Sequence, residues 1–94
     1  MTIMDHRRES EALYLLAETE ELHAAEWLRL AREEQDPARQ ANALRYADLC
    51  RGSARRLYAA VQHHDQEALR LALALVAEEC AVQVWLPERD RVAA

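Results

Sequence analysis

Ninety-four residues make one small domain, and a formal net charge of −5 speaks against nucleic acid as the main partner, because binding phosphates needs a basic surface. One Gly, two Pro and no Phe, with Ala, Leu, Glu and Arg dominant, is helix-forming composition. A chain this short buries only about 60–65% of its extended surface on folding, so self-association or a bound metal would be a natural supplement.

The first helix is expected over about residues 5–34. Its polar face carries Glu18, Glu21, Glu33 and Glu34. Its apolar face carries Leu13, Leu16, Trp27 and Leu30, and in the middle of that face stand Glu20 and His23. Residues three apart on a helix share a face, so this Glu-x-x-His pair can point into one site. An ionised carboxylate in an apolar setting costs several kcal/mol unless it is paired or bound to a metal.

Asp36-Pro37 reads as an N-cap followed by proline at the first helical position, so a second helix is expected over about 37–62. Ala43, Ala47, Cys50, Ala54, Leu57 and Val61 follow alternating spacings of four and three, a heptad-like seam of mostly small residues. Gly52 falls on the far side of that seam, so the helix is expected to continue through it.

Asp65 reads as the N-cap of a third helix over about 66–86, ended by Pro87, with a flexible tail at 88–94. This helix is apolar over most of its circumference. Leu69, Leu73, Val76 and Cys80 form one stripe, and Leu71, Leu75, Val82 and Leu86 a second. The second stripe, with Trp85 and Trp27, is the expected interface for self-association or a partner helix. Acids and arginines divide nine to four over residues 1–35, two to five over 36–62 and six to three over 63–94. An acidic, a basic and an acidic segment suit three antiparallel helices with the second touching both others. The expected fold is therefore all-α, an antiparallel up-down-up three-helix bundle that self-associates.

With short loops, Glu20, His23, Cys50, Glu79 and Cys80 fall near one level of such a bundle. Carboxylate, imidazole and thiolate donors suit iron or zinc. The Trp27-bearing first helix, the Asp36-Pro37 turn and a second helix of similar length resemble the small iron-handling proteins of the encapsulated-ferritin type, which implies a metal-binding bundle. Those proteins carry Glu-x-x-His on the second helix, where this chain has Asp48, Leu49, Cys50 and Arg51 followed by Gly52 and Ser53. No Gly-rich phosphate loop and no Ser-His-Asp arrangement is identifiable, so no catalytic residue is assigned.

No stretch reads as a signal peptide. The most apolar segment, Ala68–Ala77, is broken by Arg70 and ends at Glu78-Glu79, too short and charged to span a bilayer. A cytoplasmic location with reduced cysteines and no membrane partner is expected. The functional expectation is a non-catalytic helical interaction or assembly module that forms the homo-oligomer above, with a metal-binding bundle as the alternative.

Overall fold

The computed structural model describes the backbone of residues 1–93 and the side chains of residues 1–81. It holds two helices, α1 (Ile3–Glu33) and α2 (Pro37–Ala93), folded back on each other as an antiparallel hairpin. The molecule measures 87 × 17 × 14 Å. At 1.5 Å per residue α2 outruns α1 by about 40 Å.

Each helix end has a local cause. Thr2 caps α1: its hydroxyl accepts from the Asp5 backbone N–H at 3.1 Å, and the Asp5 carboxylate accepts from the Thr2 N–H at 2.8 Å. This reciprocal pair satisfies two amides that the first turn would leave orphaned. α1 stops at Glu33 because Glu34 is extended, at φ −77° and ψ 127°. Asp36 then caps α2 by accepting from the Arg39 N–H at 3.1 Å, and Pro37 takes the first helical position, where a missing N–H costs nothing. Gln40 donates through Nε2 to the Ala31 carbonyl at 2.9 Å, tying the end of α1 to the start of α2.

The expected three-helix bundle is not formed, since such a bundle needs three helices and the described residues form two. No loop interrupts residues 63–66; the helix runs through them. Asp65 does not cap a new helix. Its Oδ1 accepts a hydrogen bond from the Ser10 hydroxyl at 2.5 Å, across to α1. Neither Gly nor Pro lies between residues 53 and 86, and an Asp inside a run of helix formers costs well under about 1 kcal/mol. Along most of the hairpin it is therefore the first two of the three charged segments that face each other, and only the start of the third reaches α1. The expected end at Pro87 is not formed either, since α2 runs on through it to Ala93.

The core is a seam of small residues. Ala17, Ala24 and Ala31, seven apart on α1, are buried, and so are Ala43, Ala47 and Ala54 on α2. Cross-helix contacts set the register: His6 meets His64, Tyr14 meets Tyr58, Trp27 meets Tyr46 and Ala31 meets Gln40. That register puts Ala17 level with Ala54 and Ala24 level with Ala47. With only methyl groups between them, the axes can approach to the close end of the usual range, about 8 Å. Leu13, Glu20 and Trp27 on α1, and Cys50, Leu57 and Val61 on α2, are half-buried along the edges of the seam.

Gly52 is helical, as the phase of the seam implies. A Cβ there would meet the Arg56 Nη1 at 3.5 Å, an ordinary contact, so the position does not demand glycine. Among the described residues no helix is long and apolar enough to cross a membrane.

Candidate functional site

The residues expected to share one layer are only partly brought together. Glu20 is half-buried at the seam edge and its carboxylate adjoins Cys50. Burial, reinforced by that carboxylate, pushes the Cys50 thiol up from its ordinary value. His23, one turn beyond Glu20, is exposed. Glu79 and Cys80 are also exposed, and on an uninterrupted helix they lie about 43 Å along the axis from Cys50. Folding α2 back on itself at residue 64 would have brought them level, and that fold does not occur. Among the described residues no group of three or more His, Cys, Asp or Glu is placed to hold a metal ion.

The apolar face read on α1 straddles the edge of the seam. Leu13, Glu20 and Trp27 belong to the contact with α2, whereas Leu16, His23 and Leu30 are exposed beside it. Trp27 stacks on Tyr46, with ring centroids 4.9 Å apart and planes at 27°. The two rings and Leu30 line an open groove of about 410 Å³ near the turn, with Arg39 and Asn42 on its far side.

On the opposite flank Tyr14 meets Tyr58 edge-on at 5.7 Å, and the Tyr58 hydroxyl donates to Glu21 at 3.0 Å. Burial and the Glu21 carboxylate both raise the Tyr58 phenol above its ordinary value. The ion pairs that Arg29 makes with Glu26 and Glu33, and Arg70 with Glu67, lie on the solvent side and add little.

Where α1 ends, the α2 face continues. Leu71 is half-buried and Leu75 is exposed, and with Met1, Ile3, Met4 and Ala74 they line a second open groove of about 490 Å³. Leu69, Leu73 and Val76, from the other stripe, are also exposed. Val82, Trp85 and Leu86, expected in the same interface, lie outside the residues whose side chains are described.

What the sequence reading missed is a polar cluster at the open end of the hairpin: His6, Ser10, His64 and Asp65. His6 and Ser10 are the only buried polar side chains among the described residues, each 8% exposed. A signal for them was present. Continuing the spacing of Ala31, Ala24 and Ala17 toward the N-terminus reaches Ser10, and the interleaved positions 27, 20 and 13 lead to His6.

Comparison with protein-family models, with curated proteins and with solved structures yields no match. The functional reading therefore rests on the physical features of the hairpin.

Proposed function

We propose that this chain is a non-catalytic helical assembly module that pairs its exposed apolar flanks with a second copy of itself. One observation carries the reading. The core of the hairpin is alanine, no large side chain among the described residues is fully buried, and the large apolar side chains lie outside. Leu16, Leu30, Tyr46 and Leu75 are each 38–54% exposed. Fully burying one such side chain contributes about 1.5–3 kcal/mol, so the isolated hairpin leaves much of its hydrophobic stabilisation unused.

A second hairpin offers a covering of matching shape. Two antiparallel hairpins laid flank to flank make a four-helix bundle, and a two-fold axis presents the same patch from both sides. Leu16, Leu30, Trp27 and Tyr46 would then form the layer between hairpins near the turn, and Leu71 and Leu75 the layer beyond the end of α1.

The test is mass in solution across a dilution series, by sedimentation equilibrium. The expected result is an assembly of at least two chains, weakened by Leu75→Glu, which places a charge on an apolar surface that is exposed in the single hairpin. Glu20→Gln, at the seam within one chain, leaves the mass unchanged. A monomer at every concentration would refute the proposal.

A further inference from the structure

The polar cluster at the open end of the hairpin has no part in the apolar seam. His6 and His64 approach through their Nδ1 atoms at 2.8 Å, with ring centroids 5.1 Å apart. Two imidazole nitrogens at that distance need one proton between them. One ring must donate from Nδ1 and the other must offer a lone pair there. The pair can be neutral, or it can carry one charge on the donor ring. It cannot carry two, because a second cationic ring has no lone pair to offer.

The charges around the pair come from both helices. From α1, Asp5 is held by the Thr2 cap, while Arg7 and Glu9 flank His6 on the exposed side. From α2, the His63 ring lies edge-on to His64 at 5.4 Å. The Asp65 carboxylate accepts the Ser10 hydroxyl, which leaves its charge unneutralised. Glu67 is half-buried and bonded to Arg70, and that bond chiefly holds its carboxyl below the ordinary value, with His63 and His6 adding to the effect. On α2, Asp65, Glu67 and Arg70 together leave one net negative charge, which a single imidazolium balances.

We propose that His6 and His64 form a pH-sensitive latch, which holds the start of α1 against α2 near neutrality and releases it below about pH 6, where imidazoles take up protons. The released state binds up to one proton more than the latched state. Latching is therefore complete at neutral pH and weakens as pH falls, by up to about tenfold per pH unit. Release frees Met1, Ile3 and Met4 from Leu71 and Leu75, so acid uncovers further apolar surface on α2. The contact is within one chain and does not depend on self-association.

The test is residue-resolved hydrogen exchange on the full chain, with chelator present and intrinsic rates divided out, between about pH 7.5 and 5.5. Protection of the amides of residues 7–12 is expected to fall by about tenfold or more across that range, with residues 24–31 unchanged. The paired change His6→Leu with His64→Leu should make the protection independent of pH, and His63→Gln should leave the wild-type dependence in place. Wild-type protection that does not change with pH, or an equal loss in the double variant, would overturn the latch. Ring nitrogen spectra of the wild-type chain are a second measure that needs no variant. One Nδ1 protonated and hydrogen-bonded to the other is expected at neutral pH, and two rings that titrate independently would also overturn it.

Discussion

Placing leucine at two neighbouring positions, Ala24 and Ala25, separates seam packing from helix propensity. Ala24 is 3% exposed, level with Ala47, and its methyl group fills the gap between the helices; Ala25 is exposed. Ala24→Leu adds three carbons where there is no room, and the helices must part or the side chain must leave its rotamer. Overpacking of this kind costs about 1–3 kcal/mol. For a chain of this size each kcal/mol moves the melting temperature by about 4–8 °C, so the expected fall is about 5–20 °C. Ala25→Leu sits on the same turn of the same helix and changes little beyond propensity, about 0.2 kcal/mol. Both melts are followed by the helical circular dichroism signal at one protein concentration, since assembly adds its own concentration dependence. Equal shifts at the two positions, or a rise at Ala24, would refute the close alanine seam.

Cys80 is exposed while burial and the Glu20 carboxylate hold the Cys50 thiol up; Cys80 should therefore alkylate at least about tenfold faster, and Glu20→Gln should speed Cys50. Equal rates in the mass spectrum, or no gain in the variant, would contradict that placement. The Thr2 backbone N–H, then its hydroxyl, hold the Asp5 carboxyl below its usual 3.8, so the cap is at full strength above that pH and is lost as pH falls through the lowered value. Amide exchange of the first turn of α1 should show this acid step, and Asp5→Asn, which removes the titrating carboxyl, should abolish it; a step that survives the substitution would assign it elsewhere.

The seam on α2 was legible because its residues repeat every seven along a helix that keeps its phase. Cys50, Leu57 and Val61 lie along it beside the buried alanines. The turn at Asp36-Pro37 was legible because proline and a capping carboxylate act through the local backbone alone. Asp65 misled for the converse reason. A carboxylate that caps a helix and one that reaches across to a neighbouring hydroxyl look alike in sequence, and only the partner, Ser10, distinguishes them. Without the break at Asp65 the second turn disappears, and with it the level that would have united Cys50 with Glu79 and Cys80. On α1, bulky Leu16 and Leu30 outweighed the small alanines in the reading of the apolar face, although close approach selects for the small ones. His6 and Ser10 escaped notice because a buried polar pair carries no hydrophobic signal.

The hairpin register also fixes an order of assembly. Contacts near the turn join residues close in sequence, such as Gln40 with Ala31 at a separation of 9, while Tyr58 with Glu21 spans 37 and His6 with His64 spans 58. The entropy lost in closing a loop grows with its length, so the short contacts form first and each shortens the next loop to be closed. The two helices thus come together as a zipper from the turn, and unzip in reverse. The histidine pair is among the last teeth to engage and the first to part, which puts the proton-sensitive contact at the end of the hairpin that opens without unfolding the rest.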